Sequence, residues 1–551
     1  MVPSGGMAAR RRFGHDGSMR NWNGWGDDSV STPLGKGRRA FVADRIGPGT
    51  PQNEATLADV IVRVRPSRIA DSAGLRLSTD AEVRVRHARG QSLPDLVALR
   101  YGRLDAVPDG VARPENGSDV RRLLAHAEEA GAHLIPYGGG TSVTGGVTAH
   151  DSPEPLITVD LSRLAGIRDV DEKSGLVTVA AGTTGPSLAA GLAGRGLAVG
   201  HEPQSFEFAT VGGWVAARGA GLRSLGSGRI EDIFAGGRLE APASTLDMQP
   251  FPASAAGPDL RHLVLGSEGR LGFLTDVILR AAPHPEFDVV DAYAVSDWDH
   301  AVEAARSLVQ GGVGLSMLRL STPAETRTLM GFTDKPRDRR LLNAYLAMRR
   351  RPTDYCLVLA GAAGRRKPAM AVRAETASVL RRWGGIKIPG VAAAWSRSRF
   401  QAPYLRSALW SEGYASDTLE TATTWSAAPQ LITRVESALA IALTPWDEKV
   451  WAFTHMSHLY PSGTSLYTTF IFRLAPDPDE TLARWRAIKR AATEVIVAEH
   501  ATISHHHGIG TDLAEYLPAE KGTLGMHALR SMIQAFDPAG IMNPGVLLAD
   551  L

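Results

Sequence analysis

Short apolar strands alternating with helices and glycine turns predict an α+β or α/β fold. Three stretches carry that expectation. The first is Asp119 to Ala132, where Val120, Leu123, Leu124 and Ala127 have the spacing of a surface helix; His133 to Pro136 then reads as a short buried strand. The second runs from Asp109 to about Ala282, with strands expected at 156–161, 176–180 and 263–265 and a small-residue helix over Leu188–Gly194. The third begins after Pro283-His284-Pro285, where a fresh β-α-β pattern takes over: a strand at Phe287–Ser296, a helix at Trp298–Gln310 and a strand at Met317–Leu320. Farther on, Tyr355–Ala360 reads as a strand and Met370–Trp383 as an amphipathic helix. Tyr460–Phe472 has the aromatic and β-branched texture of strands, and Glu480–His500 is a long helix.

At 551 residues the chain is long enough for two or three domains, and 44% hydrophobic with 21% charged residues is ordinary for a globular protein. The division expected is an N-terminal arm and lead-in over 1–108, a domain over 109–283, a second over 284–500 and a returning segment over 501–551. A formal net charge of +2 gives no reason to expect nucleic acid. One cysteine, Cys356, excludes a disulfide framework and Cys-rich metal sites, and fits a reducing cytoplasm. No run reaches the roughly 18 apolar residues of a membrane span, and Met1–Arg12 lacks the apolar stretch of a secretory signal. Residues 1 to about 50 are Gly-, Arg-, Ser- and Pro-rich, so part of them is expected to lack order. Within them, Asn21-Trp22-Asn23-Gly24-Trp25-Gly26-Asp27 suggests an arm that docks onto a body. The basic run Arg337–Arg351 is by default a solvated face, with attraction to an acidic lipid surface as the alternative.

The most informative segment is Pro136-Tyr137-Gly138-Gly139-Gly140-Thr141-Ser142. Consecutive glycines let bare N–H groups form a nest around a phosphate, and Thr141 and Ser142 add hydroxyl donors. An apolar strand resumes soon after, unlike a linker. A Rossmann fingerprint and a Walker loop are both missing. Three more segments rank beside it. Gln204-Ser205-Phe206-Glu207-Phe208-Ala209-Thr210 leads into the Gly212-Gly213 pair. Gly266-Ser267-Glu268-Gly269-Arg270-Leu271-Gly272 spaces glycines so that backbone can lie flat against a planar ligand. Ser504-His505-His506-His507-Gly508 puts three imidazoles together. In an extended chain His505 and His507 would share a face, with His506 on the other. A metal there would need a further ligand such as His455 or His458; none is assigned. Taken alone, Tyr467 reads as sheet packing and Arg406 as a surface helix residue.

These segments, in this order and over nearly the whole chain, resemble the alkyldihydroxyacetonephosphate (alkylglycerone-phosphate) synthases. Those enzymes lie within the vanillyl-alcohol oxidase type of FAD-binding flavoproteins. The nest and the Gly-Ser-Glu-Gly loop are shared with relatives such as D-2-hydroxy-acid dehydrogenases; the tryptophan arm and histidine triplet favour the synthase branch. The resemblance implies an α+β fold, with an FAD domain of two α+β subdomains over 109–283 and an α+β substrate-binding cap over 284–500. It implies FAD contacts at Pro136, Tyr137, Gly138, Gly139, Gly140, Thr141 and Ser142. Further contacts fall at Gln204, Ser205, Phe206, Glu207, Phe208, Ala209 and Thr210, at Ala217, Arg218, Gly219 and Ala220, and at Glu268, Gly269, Arg270, Leu271, Gly272, Phe273 and Leu274. With no histidine in the nest and Cys356 remote in sequence, FAD is expected to be non-covalent.

The reaction implied exchanges the acyl group of acyl-dihydroxyacetone phosphate for a fatty alcohol through a flavin N5 adduct, in ether-lipid synthesis. Tyr467 matches the family's proton donor and acceptor, and His505, His506 and His507 its required triplet. Arg406 matches the arginine that binds substrate, and Arg319 an arginine close to flavin and substrate. A phenol titrating near ~10 would need help from positive charge. The alternative is an FAD-linked oxidoreductase acting on the CH–OH group of a D-2-hydroxy acid such as D-lactate or glycolate; an FAD-binding protein without catalysis is the third reading. Three departures from the synthases bear on the substrate. Thr468-Thr469 follows Tyr467 where synthases are more aromatic, the loop Leu225-Gly226-Ser227-Gly228-Arg229 differs in length and charge, and Asn543-Pro544-Gly545 is closer to the dehydrogenases. The expected setting is cytoplasmic, with a small-molecule or lipid-like substrate, no nucleic acid, and with peripheral membrane contact and a homodimer carried as candidates.

Overall fold

The computed structural model describes residues 20–27, 33–332, 336–349 and 352–549. Asn116 starts the first long helix, Gly117–Ala130, by accepting from the Asp119 N–H, and Gly131 ends it at φ +60°. Its buried side, Val120, Leu123, Leu124 and Ala127, packs with Leu134, Ile157 and Val159 of a four-stranded sheet. That sheet runs Leu77–Ser78, Gly110–Ala112, Leu156–Asp160, His133–Tyr137, with the last three parallel. Its far edge receives the C-terminal segment. The Leu134 N–H donates to Ile541 O at 2.8 Å, and the Asn543 N–H donates to Leu134 O at 2.8 Å.

A second sheet is antiparallel and five-stranded, in the order Ile167–Asp171, Leu176–Ala180, Phe273–Arg280, Phe234–Glu240, Thr245–Met248. The third is antiparallel and seven-stranded: Ile386–Lys387, Phe287–Val295, Cys356–Gly364, Met317–Ser321, Trp451–Leu459, Gly463–Arg473, Tyr414–Thr424. On one face of it Leu318, Leu320, Met456, Leu466 and Phe470 join a core with Leu431 and Val435 of helix Ala428–Ile441 and Trp485 of helix Pro478–Ala498. The other face carries the candidate site. The fold is the mixed α+β architecture expected from the sequence.

Most expected elements stand within a few residues of their places, including Trp298–Gln310 and Leu176–Ala180 at the bounds read from sequence. Residues 263–265 are different. Helix Arg261–Val264 occupies most of them, because Asp259 accepts from the Arg261 N–H and turns the chain into a helical start. The run after Tyr460 begins its strand only at Gly463, since Pro461-Ser462 forms the turn of a hairpin with Trp451–Leu459. Within the lead-in, Lys36–Ile46 is a helix whose Val42 and Ile46 pack with Leu409 and Tyr414; the expected disorder of residues 1–19 and 28–32 lies outside the described residues. The tryptophan arm is docked. Trp25 is buried edge-on against Phe208, and Arg100 donates to Asn23 O at 3.0 Å. Of the basic run, residues 336–348 form a helix, while 350 and 351 lie outside the described residues.

Candidate active site

Strand His133–Tyr137 delivers the glycine nest to one wall of a cavity of about 630 Å³. Gly139 is there for closeness to protein as much as to a ligand: a Cβ at this position would sit 2.1 Å from Phe208 O. Gly140 takes φ +60°, where a side chain would also meet the Tyr137 hydroxyl. The nest and the 204–210 turn therefore interlock. Thr210 accepts from the Gly213 N–H and starts helix Val211–Ala216, whose C-terminal carbonyls take up the N–H groups of Gly266 and Glu268. Those two donors are thereby used within the fold.

Pro136, Gly138, Gly139, Gly140, Thr141 and Ser142 line the cavity, as do Gln204, Ser205, Ala209, Thr210, Ala217, Gly219 and Ala220. From the third loop come Glu268, Gly269, Gly272, Phe273 and Leu274. Other residues expected at the cofactor sit behind this wall. Tyr137 is buried against His87, Phe206 stacks between Trp214 and Phe400, Glu207 accepts from the Tyr404 hydroxyl, and Phe208 packs on Trp25. Arg218 pairs with Glu231. Arg270 is buried and donates to Met542 O, and Leu271 is core. Each of these is used to fix a loop, which is why it shares the motif without reaching the space.

The wall is rich in unsatisfied polar atoms. Both ring nitrogens of His201 and the indole N–H groups of Trp25 and Trp214 are buried without a hydrogen-bond partner among the described residues, and all three residues line the cavity. Buried donors in native proteins almost always have partners. Orphans gathered beside bare glycine backbone suit a large ligand with phosphate oxygens and ring heteroatoms, and so fit FAD.

The opposite wall is the free face of the seven-stranded sheet. Antiparallel register sets His455 beside Tyr467, and Tyr467 beside Glu420, on three adjacent strands. Ser321 pairs with His455, so Arg319, two residues away, points to the same side. Arg319 Nη2 donates to Glu325 Oε1 at 2.7 Å, and His455 Nδ1 lies 2.8 Å from the same oxygen. Burial alone would raise Glu325, but Arg319 and His455 hold it down to about 2. The Tyr467 ring stacks on His455 with centroids 5.0 Å apart, and lies 6.0 Å from His506 and 5.5 Å from His507. Help for its deprotonation was expected from positive charge; instead burial, with Glu420 and Asp417 nearby, pushes the phenol up to about 12 against the smaller opposing effect of Arg406. At neutral pH Tyr467 is an acid holding its proton.

The triplet is not extended. The Glu420 carboxylate accepts the backbone N–H groups of His505, His506 and His507 at 2.8–2.9 Å and the Ser504 hydroxyl at 3.0 Å, which curls the loop around it. His506 and His507 consequently line the cavity together, while His505 turns to Arg229 and Tyr460. Burial would raise Glu420, but the three histidines hold it well below the ordinary range. Burial pushes His505 well down and His507 down to about 3, so both imidazoles are neutral. His458, His505 and His506 could together hold a metal ion. Arg229 Nη1, 2.8 Å from His505 Nε2, sets a fixed positive charge against a cation there.

Arg406 lines the cavity but is partly used: Nε donates to Ser416 O and Nη1 to Gln91 O, and Asp417 lies 3.5 Å from Nη2. Beyond it the wall turns apolar through Leu329, Phe332, Trp395, Leu405 and Phe453. Sequence reasoning missed Glu420, Glu325, His201 and Arg229. Glu420 lies in a Thr-rich strand and Glu325 in the first turn of a helix, where neither stands out; Arg229 showed only as the end of a loop noted for its charge, and His201 carried no signal.

Residues 108–244 match the family model described as "FAD binding domain", and residues 284–547 match "FAD linked oxidases, C-terminal domain". A protein named alkyldihydroxyacetonephosphate synthase from Trypanosoma brucei brucei is 27% identical, over 96% of this chain and 92% of its own length. A solved structure titled alkyldihydroxyacetonephosphate synthase shares the fold with TM-score 0.81 at 24% identity, covering 95% of this chain and 98% of that one. A p-cresol methylhydroxylase shares it more loosely, with TM-score 0.67 at 13% identity over 86% of this chain and 93% of that one. FAD is the cofactor that the interlocked glycine loops are built for.

Proposed function

We propose, for a chain that belongs to the FAD-linked oxidase flavoproteins, that it is an FAD-dependent enzyme of the alkylglycerone-phosphate synthase type. It would exchange the acyl group of acyl-dihydroxyacetone phosphate for a fatty alcohol. What supports this reading is a single grouping: Tyr467, His506, His507 and Arg406 share one cavity with an apolar wing of Leu329, Phe332, Trp395, Leu405 and Phe453. A fatty chain needs such a wing; a small hydroxy acid does not.

Pro136, Gly138–Ser142, Gln204, Ser205, Ala217, Gly219, Glu268, Gly269, Gly272, Phe273 and Leu274 would hold FAD non-covalently, with His201 completing the polar wall. When bound, FAD supplies an electron-poor ring able to take up electrons from a substrate carbon. The chain's own residues bind, orient and protonate. With His505 and His507 neutral, the positive charge for a phosphate comes from Arg406 and from Arg319. Tyr467 holds a proton at its hydroxyl in the resting site, and so serves the donor half of its exchange with the substrate carbon. Taking a proton from that carbon requires the phenolate, so the hydroxyl must first give up its own proton.

Lipid substrates also call for access. Helix Pro336–Met348 keeps Leu342 and Leu346 inward and leaves Leu341 and Met348 61% and 73% exposed, beside exposed Arg337, Arg340 and Arg349. A cytoplasmic enzyme resting on an acidic membrane surface through this face is the reading we attach to it. No helix among the described residues is long and apolar enough to cross a membrane.

The deciding experiment is an anaerobic visible spectrum of the yellow protein. Bleaching by acyl-dihydroxyacetone phosphate with recovery on fatty alcohol supports exchange. Bleaching only by a D-2-hydroxy acid, with recovery on an electron acceptor, replaces it with the dehydrogenase reading. No response to either leaves a flavin-binding protein without catalysis.

A further inference from the structure

We propose that Arg229 is a positioning residue that fixes the tautomer of His505, and through it decides that His506 presents a proton donor to the cavity. His505 Nε2 faces Arg229 Nη1 at 2.8 Å and the Tyr460 hydroxyl at 2.6 Å. A guanidinium has no lone pair to offer, so Nε2 must accept. An imidazole carries at least one ring proton, so with Nε2 bare it must sit on Nδ1. That nitrogen lies 2.9 Å from His506 Nδ1. It donates, His506 Nδ1 accepts, and the His506 proton is left on Nε2 of a ring that lines the cavity.

Other groups around the pair do not set this direction. Tyr460 can donate or accept, so its hydroxyl follows whatever Arg229 imposes. His458 stacks on His505 with centroids 5.1 Å apart and bonds Ser224 through its own Nδ1. Glu420 pulls the other way: its Oε2 is 3.2 Å from His506 Nδ1 and would draw a proton onto that atom. Without Arg229, His505 is free to hold its proton on Nε2 toward Tyr460, His506 Nδ1–H turns to Glu420, and His506 Nε2 becomes an acceptor. The guanidinium cannot swing away easily. Its Nη2 donates to His505 O at 3.0 Å and Arg218 O at 3.2 Å, and Glu231 lies 3.6 Å from Nε. Arg229 also ends the loop Leu225–Arg229.

The test uses ring-15N-histidine NMR of the FAD-loaded protein, in which protonated and bare ring nitrogens differ in shift. Wild type should show His505 protonated on Nδ1 and His506 on Nε2. Arg229→Met should move the His506 proton to Nδ1, while Arg229→Lys and Tyr460→Phe should leave the wild-type pattern. An unchanged pattern in Arg229→Met, or a reversal in Tyr460→Phe, overturns the proposal. Should Arg229→Met fail to fold, Arg229→Gln serves, since its amide donates or accepts. It should give a mixture, and a single wild-type pattern counts against the idea. A kinetic arm rests on the proposed function: Arg229→Met should lower kcat at least about tenfold with KM nearly unchanged and FAD retained. Loss of FAD in step with activity would mean that Arg229 only holds its loop. The NMR arm needs no substrate, so it stands or falls apart from the synthase reading.

Discussion

Two buried carboxylates grip the same stretch of chain from opposite sides of the cavity, and they end in opposite charge states. Glu420, on the seven-stranded sheet, accepts three consecutive backbone N–H groups from His505 to His507; Glu268, on the nest side, accepts those of Ile509 and Gly510 at 2.6 and 2.8 Å. Burial works against both. At Glu420 three imidazoles outweigh it and the group is held well below the ordinary carboxyl range. At Glu268 burial wins over two backbone donors and lifts the group to about 7. Two backbone donors do not hold the fully buried Glu268 ionised, whereas three, with the Ser504 hydroxyl and the adjacent imidazoles, hold Glu420 so. One end of the loop is thus pinned by a charge, and the other by a group that titrates near neutrality.

The largest effect falls beside the charged pin. Tyr467→Phe should abolish exchange by a factor of about 10² to 10⁴ while FAD stays bound, measured as turnover against flavin absorbance; undiminished exchange removes the phenol from proton transfer. Glu420→Gln breaks the comparison directly. It loses the anion while three N–H groups still need acceptors, so unfolding stability should fall by about 3 kcal/mol, seen in denaturant melts, with the loss smaller at acid pH. The sign follows from a lowered group: its stabilisation is complete above the unfolded value of 4.5 and is lost as pH falls through the native one. Glu268→Gln sharpens the contrast with the reverse slope. A raised group stabilises fully below 4.5 and loses that contribution as pH rises through about 7. Wild type should therefore weaken between pH 5 and 8 by on the order of 3 kcal/mol at this site, and the amide variant should not. Least of all, Leu341→Glu should leave melts and flavin content unchanged yet reduce sedimentation with anionic vesicles, because it alters only the outer face of its helix.

The cofactor half of the site was the more legible in sequence. Glycine spacing around 138–140 and 266–272 reports backbone geometry, which few other residues can adopt, so the loops announce themselves. What those glycines do was less legible: Gly139 makes room for Phe208 O, a contact between loops more than sixty positions apart. On the seven-stranded sheet the residues could be named only by resemblance, since Tyr467 and Arg319 look like ordinary strand residues. Their meeting depends on strand register, with Tyr467 between His455 and Glu420, and register across a sheet of order far from sequence order is not written locally. The charge state of Tyr467 was misjudged for the same reason: Glu420 arrives beside it from a strand that had not been recognised as one.

The bridge between Leu134 and the 541–543 segment carries a lesson about manufacture. During synthesis every strand of the three sheets, both glycine loops and Glu268 leave the ribosome before the histidine triplet does. Until residues 504–510 and 541–543 have followed, neither buried carboxylate has its donors and the four-stranded sheet has an open edge. A nascent chain can therefore assemble both walls but cannot close the chamber, and FAD captured early would be held by an unfinished clasp.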